Sequence, residues 1–121
     1  MREYLIRLPW PPKELSSNST AKLRDKIRAK KSYRTACWGL AKQQGIACMP
    51  TAELHFTYSQ PDNRSRDCQN MHHPMKHAID GIALAMGCDD KDFACHFPAR
   101  FEEQNVKGGC VLVHVKPGGD V

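Results

Sequence analysis

Acidic and basic side chains that could act on a phosphodiester lie close together between residues 64 and 90. Arg64, Arg66 and Asp67 are near neighbours, and Lys76 and the pair Asp89–Asp90 follow at helical distance. Carboxylate oxygens in small number suit Mg2+, which completes its shell with water and substrate phosphate. Such an ion can generate the attacking nucleophile and neutralise charge on phosphorus. The pattern therefore predicts a magnesium-dependent nuclease centre.

The acidic residues of this pattern also have structural interpretations. Asp67 could simply cap the second helix, and Asp89–Asp90 could form a solvated turn between a helix and a strand. The arginines favour a metal ligand at Asp67, because guanidinium groups suit forked recognition of phosphate oxygens. Adjacent acids point in different directions, so we expect Asp90 to be the main ligand and Asp89 to assist.

Histidines close to this region suggest a second kind of metal site. His72, His73 and His77 lie near Cys68, and His73 and His77 share a helix face as two zinc ligands would. Their spacing matches no common zinc module. Exposed polar histidines on a DNA-facing helix are the simpler interpretation.

Charge is distributed unevenly along the chain, whose 121 residues match the commonest size of a single domain. Residues 1–50 carry eleven bases and three acids (+8), and residues 51–121 carry seven bases and ten acids (−3), which sum to +5. A cationic half beside an acidic half suits polyanion binding by one surface and metal binding by another. A solvated basic helix would give the same count.

The basic residues expected to contact DNA cluster in two segments. They should bind phosphates without reading bases. They are Lys22, Arg24, Lys26, Arg28, Lys30, Lys31 and Arg34 in the first helix, and Arg64 and Arg66 beside Asp67.

Cysteine usage and hydropathy indicate the compartment. The six cysteines form no Cys-x-x-Cys pair, and the first residues lack an apolar run of signal-peptide length. No segment approaches the ~20 apolar residues that cross a bilayer. We therefore expect reduced thiols, no membrane partner and a cytoplasmic location in a bacterial or phage-infected cell.

Hydrophobic periodicity predicts a single small α/β (α+β) domain with a mixed β-sheet and two main helices, in the order strand, helix, strand, helix, strand, strand. The strands are expected at about residues 4–8, 52–59, 93–100 and 110–115, and the helices at about 22–44 and from 70 or 72 to 86. Pro74 requires the second helix to begin close to it. The residues of the first helix that are expected to face the core are Tyr33, Ala36, Cys37, Leu40 and Ala41. The domain is expected to span residues 1–116, with a flexible tail at 117–121.

The second helix raises the question of how its acidic ends could meet. A straight helix over residues 70–87 would be roughly 25 Å long, which separates Asp67 from Asp90. Two copies packed antiparallel would join the start of one helix to the end of the other. A face of Ala78, Gly81, Ile82 and Ala85 could permit this contact. That face could instead pack on the sheet of its own chain, or the helix could end early.

Several motifs together resemble the RusA-type Holliday junction resolvases (crossover junction endodeoxyribonucleases), which are common in phages and prophages. The motifs span nearly the whole chain and match in order and spacing. They are Leu8-Pro-Trp-Pro-Pro12, Leu15-Ser-x-Asn18, Tyr33-Arg34, Pro61-Asp62-x-Arg64-x-Arg66-Asp67, Asn70, Lys76, Asp80-Gly81-Ile82-Ala83, Gly87-x-Asp89-Asp90 and Lys107-Gly108-Gly109. The resemblance implies a homodimeric endonuclease that uses Mg2+, or Mn2+, to nick two strands of a four-way DNA junction symmetrically.

The resemblance also implies roles for individual residues. Asp67, Lys76 and Asp90 fill catalytic positions, and Asp67, Asp89 and Asp90 fill metal positions. Gln69 stands where the family carries a second catalytic Asp. Glutamine can ligate a metal or hold a water through its carbonyl oxygen, but it adds no charge and cannot act as a base. The expected function is resolution of junctions in DNA recombination and repair, and the alternative is a weak or inactive dimer that binds branched DNA.

Overall fold

The computed structural model describes residues 3–16 and 19–118 of the chain. Asn18 and the tail residues 119–121 lie outside the described part. The strands are β1 (Tyr4–Pro9), β2 (Ala52–Ser59), β3 (Phe93–His96) and β4 (Cys110–Pro117), and the main helices are α1 (Leu23–Gln43) and α2 (His72–Met86). Short 3-10 helices cover Lys13–Leu15, Cys68–Met71 and Asp90–Asp92. The predicted small α+β domain with a mixed sheet and two main helices is confirmed.

The four strands form one mixed sheet in the order β1-β4-β2-β3. Strand β4 runs antiparallel to β1 and β2, whereas β2 and β3 are parallel. Strands β1, β2 and β3 therefore point the same way, and their carboxyl ends share one edge of the sheet. Each main helix follows one of these strands and returns against it, so both helices begin at that edge.

One face of the sheet forms the core with the two helices. Along β2 the side chains of Ala52, Leu54, Phe56 and Tyr58 are buried, while the intervening residues are half-buried. This alternation follows from the two-residue period of a strand. The helices contact each other and share a single core with the buried strand residues. The other face of the sheet carries polar side chains.

Helix α1 buries a narrow stripe and leaves its cationic side in solvent. Ala29, Tyr33, Cys37 and Ala41 are buried at spacings of four residues, which places them on one helix face. The Tyr33 hydroxyl donates a hydrogen bond to the Pro9 carbonyl oxygen at 2.8 Å, and burial raises the pKa of Tyr33. The expected inward position of Ala36 is wrong, because this residue is exposed.

Helix α2 begins at His72, which confirms the later of the two predicted starts. Pro74 lies in its first turn, where a missing N–H is tolerated. Gly87 ends the helix in the left-handed conformation at φ 71°.

The small face of α2 packs against α1 of the same chain. A Cβ added at Gly81 would lie 2.5 Å from the Arg34 carbonyl oxygen and 3.0 Å from the Trp38 amide nitrogen. Ala78, Gly81 and Ile82 are buried. Of the possibilities that the sequence left open, the face packs within its own chain, against α1 and not against the sheet.

Two expected boundaries also differ. Strand β3 ends at His96 rather than near Arg100, and Pro98 follows, which lacks the N–H that a ladder needs. At the other end of the sheet, Pro117 still belongs to β4, and the Gly118 N–H donates to the Thr51 carbonyl oxygen at 2.9 Å.

Candidate functional site

A cleft of about 590 Å³ opens at the carboxyl edge of the sheet. Loops that leave β1 and β2 form its walls, and the start of α2 closes it. Its lining includes Trp10, Pro12, Lys13, Arg64, Arg66, Asp67, Asn70, Pro74 and Phe101. Ligands commonly bind outside the carboxyl ends of strands in open α/β sheets. The cleft therefore has a position that suits a binding site.

Asp67 is the carboxylate of this cleft. It precedes the 3-10 helix Cys68–Met71, and its Oδ1 accepts the N–H of Gln69 at 3.0 Å. The capping interpretation is correct for this short helix. It does not exclude metal binding, because an ionised carboxylate has about four lone-pair sites and one is used here.

The two arginines of the cleft have different surroundings. The Arg66 guanidinium donates to Asp62 Oδ1 at 2.9 Å and to Gln60 Oε1 at 3.0 Å, and it lies 5.7 Å from the Trp10 ring centroid. The hydrogen bond from Arg66 lowers the pKa of Asp62 below its usual range. Arg64 is exposed. Arg66 is thus fixed in the cleft wall, and Arg64 presents the more accessible cation.

A second group of acids lies at the opposite end of α2. Asp80, Asp89 and Asp90 line a shallow depression of about 440 Å³. A hydrogen bond with the Asp89 carboxyl raises the pKa of Asp90, and burial and the Asp80 charge act in the same direction. The Lys91 N–H donates to Asp89 Oδ1 at 3.1 Å and lowers the pKa of Asp89. Asp80 was not among the expected metal ligands.

A single chain does not bring Asp67 together with Asp89 and Asp90. Helix α2 has 15 residues and is about 22 Å long, and these acids flank its two ends. Lys76 and Gln69 are exposed and lie outside the lining of the Asp67 cleft. The expected set of metal ligands is thus divided between two places on the protomer.

The predicted DNA-binding residues of α1 lie near the cleft at their amino-terminal end. Pro12 borders both the Asp67 cleft and a groove lined by Arg28. Six of the seven basic residues are exposed, and Lys26 is half-buried. These side chains supply a cationic surface beside the cleft.

The histidine site near Cys68, which was the less favoured interpretation of the sequence, does not form in the described residues. His72 Nδ1 lies 3.1 Å from the Tyr58 hydroxyl, and its ring stacks on Phe97 at 4.6 Å. Within residues 3–16 and 19–118, no three ligand atoms from His72, His73, His77 and Cys68 converge.

A different cluster does converge, and the sequence analysis did not single it out. Glu53, His55 and His96 place their ligand atoms within 4.8 Å of one another on the polar face of the sheet. The alternation of Glu53 and His55 with buried residues was the available signal. The register between β2 and β3 was needed to add His96. Trp10 was likewise missed as a wall of the cleft.

Comparison with known proteins shows similarity to a bacterial protein. The chain is 31% identical over 96 residues to an uncharacterized protein of Xylella fastidiosa. This match covers 75% of the chain and 63% of the relative, so the chain spans less than two-thirds of that protein's length. No family model matches the chain. In the described part of the chain, neither main helix is both long and apolar enough to cross a bilayer.

Proposed function

We propose that the chain is a Mg2+-dependent structure-specific endodeoxyribonuclease that nicks four-way DNA junctions, acting as a homodimer. The observation that carries this proposal is the cleft in which Asp67 lies beside two arginines, next to the basic helix α1. Phosphate binding by cations and metal binding by a carboxylate are the two requirements of phosphodiester hydrolysis. The motifs that resemble those of the RusA-type resolvases support the same proposal through their residue types and order.

The roles of the residues follow from their surroundings. Arg64 binds the phosphate next to the scissile bond, and Arg66 holds the loop that carries Asp67. Asp67 and, from a second chain, Asp90 with Asp89 would hold the metal, which would supply an activated water and offset charge on phosphorus. Gln69 orients water, and Lys76 interacts with the strand near the leaving oxygen.

A dimer is needed because the acids flank the two ends of α2. The exposed side of this helix carries His73, Lys76, Asp80 and Leu84 at helical spacing. Antiparallel packing along this side would bring the Asp67 end of one chain to the Asp90 end of the other. Leu84 is 64% exposed and supplies apolar surface for such a contact.

A second candidate function is binding of branched DNA without hydrolysis. The cleft of each chain offers one carboxylate, Asp67, and the nearby Gln69 is neutral and lies outside the lining. Without the acids of a second chain, the cleft would dock DNA through its cations but would lack the ligands to hold a metal.

Incubation of the protein with a labelled synthetic four-way junction tests the two candidates. The nuclease proposal expects paired nicks with Mg2+ and none with a chelator. It also expects Asp67→Asn to abolish nicking while retaining junction binding, because asparagine keeps the oxygen that accepts the Gln69 N–H. Binding of wild-type protein without nicking, in either Mg2+ or Mn2+, would overturn the nuclease and leave the DNA-binding function.

A further inference from the structure

The polar face of the sheet carries a set of side chains that the proposed nuclease does not use. Strands β2 and β3 are parallel, and His55 pairs with His96 in their register. Glu53 lies two residues before His55, so all three side chains project from the face opposite the helices. None of the three residues lines the Asp67 cleft.

The three side chains already point toward one another. His55 Nε2 lies 3.1 Å and His96 Nε2 lies 3.6 Å from the same oxygen, Oε1 of Glu53. The two imidazole rings are stacked, with centroids 4.4 Å apart and an interplanar angle of 6°. Ligands bound tetrahedrally at ~2.1 Å are about 3.4 Å from each other. Small side-chain rotations would therefore admit an ion between the three atoms.

We infer that Glu53, His55 and His96 form a binding site for Zn2+ on the polar face of the sheet. Two imidazoles and one carboxylate suit a borderline ion such as Zn2+, whereas Mg2+ prefers oxygen ligands. Three protein ligands leave a fourth position open. The side chains of Glu53, His55 and His96 are 32%, 38% and 53% exposed, so water can reach that position.

Neighbouring side chains distinguish this set from the rest of the face. His114 of β4 lies opposite His55 in the register, but its Nε2 is 2.7 Å from Glu3 Oε1. Lys116 of β4 is the basic residue that pairs with Glu53 in the strand register. His114 therefore has its own carboxylate partner, and the proposed ligands are the three that converge.

A bound ion would also stabilise the edge of the sheet. Strand β3 has four residues and pairs with β2 alone within the described ranges. The ring of the next residue, Phe97, stacks on His72 and contacts Phe56 in a tilted arrangement. The ion would join β3 to β2 at the point where the chain turns toward the helical layer.

Titration of the purified full chain with Zn2+, in competition with a chromogenic chelator and in excess Mg2+, tests the site. Excess Mg2+ occupies sites built from carboxylates alone. The thiols of Cys48 and Cys88, 2.7 Å apart, could bind zinc independently, so Cys48→Ser with Cys88→Ser serves as the background chain. On this background we expect one bound Zn2+ and a raised Tm, because a ligand of the folded state stabilises it.

Matched variants identify the ligands. His55→Asn or His96→Asn is expected to lower Zn2+ affinity by more than about tenfold, since even changes in residues that support ligands cost that much. The control pair His73→Asn with His77→Asn removes two other histidines and should leave affinity unchanged. Far-ultraviolet circular dichroism without metal checks that each variant folds, and Co2+ absorption bands report the ligand set in any variant whose Tm falls.

Three outcomes would overturn the site. They are no stoichiometric zinc in the background chain, unchanged affinity after substitution of both His55 and His96, and loss of zinc in the His73 and His77 pair instead. In each case the contacts of Glu53 would be ordinary hydrogen bonds or ion pairs with histidine. None of these results depends on nuclease activity, so failure of the zinc site would leave the proposed function unaffected, and the reverse also holds.

Discussion

Position 69 lies outside the lining of the Asp67 cleft but only two residues from Asp67, so a charge there can act on a metal that Asp67 would hold. Gln69→Asp adds a carboxylate in the 3-10 helix that Asp67 caps. If the new ligand stabilises the transition state by ~1.4 kcal/mol, the nicking rate rises about tenfold. Single-turnover nicking of a junction in Mg2+ measures the effect. Gln69→Asn is the matched neutral control, and an equal change in both variants would count against a metal at this position.

The two arginines of the cleft allow a test that separates binding from positioning. Arg64→Ala should weaken junction binding with little change in the free energy of unfolding, because Arg64 is exposed. Arg66→Ala should reduce both, since Arg66 bonds to Asp62 and Gln60 and lies over Trp10. We expect a loss of about 1 kcal/mol in stability for Arg66→Ala, as for a hydrogen-bonded charged group that remains partly solvated. Urea unfolding measures the stability of each variant, and electrophoretic mobility shift measures its junction binding. Equal losses of stability in Arg64→Ala and Arg66→Ala would contradict the different roles of the two arginines.

The close contact between α1 and α2 depends on Gly81. Gly81→Ala would place a Cβ against the backbone of Arg34 and Trp38, so the helices must separate. Overpacking of this kind costs typically ~1–3 kcal/mol, partly offset by ~1 kcal/mol of helix propensity. We expect a net loss of about 1 kcal/mol in stability, measured by urea unfolding.

Gly39 is the matched control for this prediction. It also lies in a helix interior, but a Cβ added there meets no atom within 4 Å. Gly39→Ala should therefore stabilise the chain by about 0.5–1 kcal/mol. Stabilisation by both substitutions would show that the helices are packed less closely at Gly81 than described.

The elements also show where sequence reasoning succeeds and where it stops. Alternation placed β2 at Ala52–Ser59, and a glycine stop signal placed the end of α2 at Met86, as observed. Both signals are local to the element. The sequence left the partner of the α2 small face open, because periodicity defines a face without saying what covers it. His96 could not be joined to Glu53 and His55 for the same reason, since their meeting depends on a register between distant strands.

At the scale of the whole molecule, the cationic end of α1 should govern the salt dependence of DNA binding. Each phosphate contact releases counterions, and the logarithm of affinity falls with the logarithm of salt in proportion to the number of contacts. Arg24→Gln with Arg28→Gln should reduce that slope by about 2. Arg7→Gln with Lys42→Gln removes two exposed cations that lie outside the cleft lining and should leave the slope nearly unchanged. Equal slopes in the two pairs would exclude α1 as the phosphate-binding surface.

The proposed active site requires two chains, because one chain separates Asp67 from Asp90. Chains carrying Asp67→Asn and chains carrying Asp90→Asn should each be inactive alone. In a mixed dimer, Asp67 of the second chain would meet Asp90 of the first, and one intact site would form. We therefore expect co-purified heterodimers to make single nicks in a junction but no paired cuts. Adding Leu84→Glu to both chains, which places charge in the proposed contact, should remove this recovery. Inactive heterodimers that remain dimeric would show that each site belongs to one chain.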